Sequence, residues 1–120
     1  MTTTTMYHYP NCSTCRKARK WLAERGIEVD LVDITLNPPS ADKLLQAFTT
    51  SGKGSKAFFN TSGQSYRGGG FKAKLPGMDD QARAAALAVD GKLIKRPLLF
   101  AGGTVLVGFR PDAWADALTA

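Results

Sequence analysis

Cysteine and histidine are scarce in this chain: two of the first and one of the second in 120 residues. A zinc site takes about four ligands from paired Cys/His motifs, and here only His8 could join the two thiols, which makes a metal centre the weakest reading. A disulfide framework is excluded too. Both cysteines fall in Cys12-Ser13-Thr14-Cys15, and bridging them closes too short a loop to remove much chain entropy. Long apolar runs are missing; none approaches the roughly 20 residues that a membrane helix requires. Met1 to Thr5 is threonine-rich and uncharged, without a basic-then-apolar leader, so a cytoplasmic location is expected. Acids are absent from Lys43 to Met78, a stretch that holds six basic residues. Together with a net charge of +6, this leans towards anionic partners or substrates. A solvated face is the plainer use of such a run, and no nucleic-acid-reading motif accompanies it.

The cysteine pair is the strongest signal present. In a reducing compartment, two thiols three residues apart, where a strand feeds a helix, suggest a reversible dithiol/disulfide centre. Inert buried thiols are the competing reading. Cys12 falls at the amino end of a helix, where free N–H groups and the helix dipole favour an anion, and Arg16 adds positive charge one turn on. Cys15 lies a turn further in, with its Cα expected about 5–6 Å from that of Cys12, within disulfide range. The pattern therefore assigns Cys12 as nucleophile and Cys15 as resolving thiol. His8 has no carboxylate beside it in sequence and reads as a packed strand residue.

The surrounding pattern fits one domain over residues 1–120, with a composition 43% apolar and 22% charged. Thr5 to Tyr9 reads as a strand. A helix follows from near Cys12 to Arg25, with Ala18, Trp21 and Leu22 inward and Gly26 as its stop. Ile27 to Ile34 reads as a second strand whose alternation slips at Val32, which implies a bulge or burial on both faces. Ser40 caps a helix carrying Leu44, Leu45 and Phe48. Ser51 to Gly77 is rich in Gly, Ser and Lys, with Phe58, Phe59, Tyr66 and Phe71 as anchors for short helical turns. Asp79-Asp80 opens an alanine-rich helix ending at Asp90-Gly91. Pro97–Phe100 and Thr104–Val107 pair around Gly102-Gly103, and Pro111 starts a last helix with Trp114, Ala117 and Leu118 inward. The order β-α-β, helical insertion over about 38–91, then β-β-α predicts an α/β, thioredoxin-like fold with a mixed four-stranded sheet. No large exposed apolar stripe is evident, so a monomer is expected.

Several motifs, in order, carry a family resemblance: Tyr7-His-Tyr-Pro-Asn-Cys-Ser-Thr-Cys-Arg-Lys-Ala18, Pro38-Pro39-Ser40, Phe58-Phe-Asn-Thr-Ser-Gly63, Lys95-Arg96-Pro97 and Gly108-Phe-Arg-Pro111. Together they resemble the arsenate reductase (ArsC)/Spx family of thioredoxin-fold proteins over essentially the whole chain. The resemblance implies a cis Pro97 facing the cysteine, and an oxyanion site built from Arg96 and Arg110. It implies glutathione or a glutaredoxin/thioredoxin system as reductant, with no bound cofactor. The chain departs from the family's arsenate reductases in two places: it has CxxC where they carry one cysteine, and Asn60 where they place a third arginine. The CxxC is similar to that of the Spx branch, whose members bind the carboxy-terminal domain of RNA polymerase α, and Gly52 stands where those proteins need a glycine. Three functions follow as expectations: a thiol–disulfide reductase, a redox-sensing polymerase regulator, and an arsenate reductase.

Overall fold

The computed structural model describes residues 4–118. The chain runs β1 (Thr4–His8), α1 (Ser13–Glu24), β2 (Asp30–Asp33), α2 (Ala41–Ser51), α3 (Gln64–Gly68), α4 (Phe71–Lys74), α5 (Asp80–Val89), β3 (Leu98–Ala101), β4 (Thr104–Val107) and α6 (Pro111–Leu118), with short 3-10 turns at Ser55–Phe58, Leu75–Gly77 and Gly91–Leu93. The sheet order is β2-β1-β3-β4. β1 and β2 are parallel, with Met6 opposite Leu31, as a strand–helix–strand crossover requires. β1 pairs antiparallel with β3, and β3 with β4. This is the expected mixed, four-stranded, thioredoxin-like arrangement. None of the described helices is long and apolar enough to cross a membrane.

Strand alternation divides the core into two layers. Met6 and Leu99 face α1 and α6, where they meet Ala18, Trp21, Leu22 and Trp114. Tyr7, Leu98 and Phe100 face the other way, onto Leu44, Phe48, Ala84 and Leu87 of α2 and α5. Trp21 and Trp114 meet edge to face at 6.1 Å, and the Trp114 indole N–H donates to the Gly108 carbonyl at 3.1 Å. Burial of each such side chain contributes about 1.5–3 kcal/mol. Local chemistry sets the helix ends. Ser40 and Asp79 accept from the backbone N–H groups of Lys43 and Ala82, and Gly26 follows α1 at φ +67°.

Three expectations are corrected. β2 is only four residues long. Ile27 and Val29 pack on the α1 side before pairing begins, whereas Val32 and Ile34 pack on the α2/α5 side; the slip in alternation is burial on both faces. In α6 the inward set is Trp114, Ala115 and Leu118, and Ala117 is exposed. β1 ends at His8, because the Tyr9 carbonyl turns to accept the Cys12 N–H at 2.9 Å.

The segment between β2 and β3 holds the next loop in place. Phe58, Phe59 and Tyr66 are buried, and Phe71 packs on them, so the anticipated aromatic anchors are in place. The Lys95 N–H donates to Phe58 O and the Asn60 N–H to Leu93 O, both at 2.8 Å. Gly91 sits directly against the Ile34 carbonyl, where any Cβ would overlap the oxygen. These contacts fix the chain immediately ahead of Arg96-Pro97.

Candidate active site

Cys12 is the N-cap of α1, with extended backbone at φ −89° and ψ 118°, and its sulfur accepts the Cys15 N–H at 3.4 Å. Pro10 and Asn11 form the turn that brings it there. A serine or aspartate usually fills this position because its oxygen satisfies an unpaired helix N–H; a thiolate does the same and is stabilised in return. Cys12 is half-buried, Cys15 is fully buried, and both are free thiols.

The two thiols are driven apart. Burial pushes the Cys12 pKa up, but the Cys15 thiol, the backbone N–H groups of Cys15 and Thr14, and the Arg96 charge outweigh it, and the net shift is downward. Cys15 is pushed up to about 12 chiefly by burial; the Tyr9 backbone opposes this, the interactions with Cys12 add to it, and Arg96 opposes it least. The arrangement favours the thiolate at the half-buried sulfur and keeps the buried one a thiol.

A cavity of about 330 Å³ opens at Cys12, lined also by Thr14, Asn60, Lys95, Arg96, Val107, Gly108, Phe109 and Arg110. Among the described residues, three cations line it and no carboxylate does. Arg96 is half-buried, its guanidinium 5.0 Å from the Tyr9 ring centroid, which holds it near the thiol. Pro97 is buried behind it, the Arg96–Pro97 peptide is cis, and the Pro97 carbonyl accepts the Gly108 N–H at 2.9 Å. Arg110 is exposed, and its carbonyl accepts the Trp114 N–H at 2.9 Å. Sequence positions from three distant segments thus meet at one sulfur.

Arg16 is placed elsewhere. Helical side chains lean towards the amino end, and the Arg16 guanidinium folds back to donate to the Asn11 carbonyl at 3.4 Å. It lines a different groove of about 540 Å³, with Arg19, Lys20 and the apolar side chains of Leu22, Ile27, Val29 and Leu31. Arg96 lowers the Cys12 pKa, whereas Arg16 lines the other groove. Lys95 is the residue that sequence reasoning passed over; the doubled base before Pro97 was the available signal.

His8 is packed, 7% exposed, on the sheet face shared with Met6. Its Nδ1 has no hydrogen-bond partner among the described residues. Burial first, then the Arg19 charge, lowers its pKa against the pull of Asp33, so the imidazole is neutral at pH 7. Among the described residues, no three His, Cys, Asp or Glu side chains are grouped to hold a metal ion. Gly52 is exposed at the end of α2, in left-handed backbone at φ +68°.

Residues 7–117 match the ArsC family. The chain belongs to the ArsC family. This ArsC-family chain is 46% identical over 112 residues to the uncharacterized protein YusI of Bacillus subtilis, covering 93% of this chain and 95% of that one. It is 31% identical over 104 residues to an arsenate reductase of Neisseria meningitidis, covering 86% and 87%. More distant matches include a global transcriptional regulator Spx of Streptococcus agalactiae, at 24% identity over 112 residues, covering 90% of this chain and 77% of that one. A crystal structure of a putative ArsC family related protein from Bacteroides fragilis superposes with a TM-score of 0.91 at 43% identity, covering 95% and 96% of the two chains. The sequence matches therefore include relatives whose names point to different functions.

Proposed function

We propose that this ArsC-family protein is a thiol–disulfide reductase of a reducing compartment, with Cys12 as nucleophile, Cys15 as resolving thiol, and Arg96, Pro97 and Arg110 forming the substrate side of the site. The observation that carries this reading is the opposed pair of thiols at the helix N-terminus, Cys12 at the cavity with its pKa shifted down and Cys15 buried beneath it with its pKa shifted up. The Cys12 thiolate attacks a substrate disulfide or glutathione adduct; a Cys12–substrate S–S bond forms, the original S–S bond breaks, and one sulfur leaves as thiolate. The negative charge on Cys12 is then gone, which removes one influence raising the Cys15 pKa. Cys15 gives up its proton to solvent and attacks the Cys12 sulfur, closing an intramolecular disulfide and releasing the second substrate thiolate. Two electrons have passed to the substrate, and glutathione or a glutaredoxin/thioredoxin system returns them.

The test is turnover of a glutathionylated peptide with glutathione and glutathione reductase supplied. Turnover by the wild type and its loss in Cys12→Ser is the expected result; equal turnover by both would overturn the reading. Arsenate reduction is the second reading, favoured by the cations around Cys12, since guanidinium and ammonium groups bind a tetrahedral oxyanion. Arsenite formation with glutathione and glutaredoxin present supports it, and its absence removes it. For the regulator reading, Gly52 is weak support, because the left-handed backbone at this helix end by itself favours glycine. Binding to RNA polymerase α that changes with the oxidation state of the pair would be needed to restore it.

A further inference from the structure

Gly108 is buried, with φ +70°, and the Lys95 stem runs across the space a side chain would fill there: Lys95 Cε is 3.0 Å, and Nζ 3.9 Å, from the point a Gly108 Cβ would occupy. The lysine thus lies along the bare backbone of Gly108, two residues ahead of Arg110, and a side chain there would press on its Cε. The backbone bond from Lys95 N–H to Phe58 O fixes the lysine's origin, and the bond from Gly108 N–H to Pro97 O fixes the surface it lies on. Asn60, on the same cavity wall, is neutral. Arg96 lowers the Cys12 pKa, and Lys95 and Arg110 add two further charges to the cavity that an incoming molecule enters.

We infer that Lys95, laid over Gly108 and working with Arg110, is a specificity-determining residue that selects thiol-reactive substrates bearing a negatively charged group near the reacting atom. It deepens the reductase reading by naming the substrate class. Selection by charge at Cys12 is nevertheless measurable without turnover. At about 330 Å³ the cavity is at the low end for small-molecule sites, which run from roughly 300 to 1,000 Å³, and suits a small anionic group better than a large apolar one.

The experiment compares alkylation of Cys12 by iodoacetate and by iodoacetamide, reagents of similar size that differ in one negative charge. In both, the thiolate displaces iodide and forms a thioether, and peptide mapping reports modification at Cys12 alone. The rate ratio of anionic to neutral reagent is expected to exceed that of a free thiol by about tenfold, as a focused positive field requires. Lys95→Gln is expected to lower the ratio several-fold, Lys95→Glu to lower it further, and Lys95→Arg to restore it. A ratio in Lys95→Gln and Lys95→Glu equal to the wild type would overturn the inference, as would a wild-type ratio no higher than that of free thiol. Failure of the reductase reading alone would look different: no turnover of any disulfide, with the charge preference of Cys12 intact.

Discussion

The cavity at Cys12 and the groove beside α1 are both partly basic, with Lys95, Arg96 and Arg110 in the first and Arg16, Arg19 and Lys20 in the second. The groove is the larger, about 540 Å³ against about 330 Å³. Its bases all come from α1, one short helical run, and they border apolar side chains that offer no reacting group. The bases of the smaller cavity come from separate segments, the loop before β3 and the loop after β4, and converge on an N-cap sulfur. The number of cations does not mark a functional site; their convergence on a nucleophile does.

The sharpest way to break this comparison is to remove the nucleophile. Cys12→Ser is expected to abolish disulfide reduction, a loss of more than about a thousandfold, whereas Arg16→Ala in the groove leaves kcat/KM within about twofold. Next in size is Arg96→Gln. A charged hydrogen bond from the Arg96 guanidinium to a bound substrate would be worth about 1.5–3 kcal/mol, so kcat/KM is expected to fall roughly 10- to 100-fold. The Cys12 pKa, followed by thiolate absorbance, also rises in this variant, because the Arg96 charge favours the ionised form; Arg16→Gln leaves it in place. The framework beneath the cavity is sensitive as well. Gly91→Ala forces a methyl group against the Ile34 carbonyl and is expected to cost about 1–3 kcal/mol in urea denaturation. The smallest effect separates charge from shape. Raising the salt concentration from about 0.05 to 0.5 M shortens the screening length and is expected to slow iodoacetate about twofold more than iodoacetamide.

pH sharpens the contrast between the two thiols. Cys12 reacts as thiolate, so its alkylation rate falls as pH drops through its pKa. The half-maximal rate is expected below the free-thiol value of about 8.5. Cys15 is protonated until about pH 12 and stays unreacted over the same range. Equal profiles for the two sulfurs would contradict the opposed pair.

What could be read from the sequence was what spacing controls. The CxxC at a strand-to-helix turn, the stripe Ala18, Trp21 and Leu22, and the order of strands all follow from local periodicity and punctuation. The resemblance added the cis peptide before Pro97. What could not be read depended on rotation or on distant packing. Trp114, Ala117 and Leu118 satisfy helical spacing as well as Trp114, Ala115 and Leu118 do, and Trp114 selects between them by seating its indole under the Gly108 carbonyl. Arg16 is one turn from Cys12 in sequence, yet its side chain folds back on Asn11. Lys95 lies against Gly108, a contact across thirteen residues that no local pattern contains.

The most direct test of the dithiol mechanism is a trap. Cys15→Ser keeps a hydroxyl donor beside Cys12 but removes the thiol that would release the substrate. Incubated with a glutathionylated peptide and analysed by intact mass under non-reducing conditions, this variant is expected to accumulate one mixed disulfide, mapped to Cys12, while the wild type proceeds to an internal Cys12–Cys15 disulfide. A Cys15→Ser protein that remains unmodified under conditions where the wild type oxidises would contradict Cys12 as the attacking thiol.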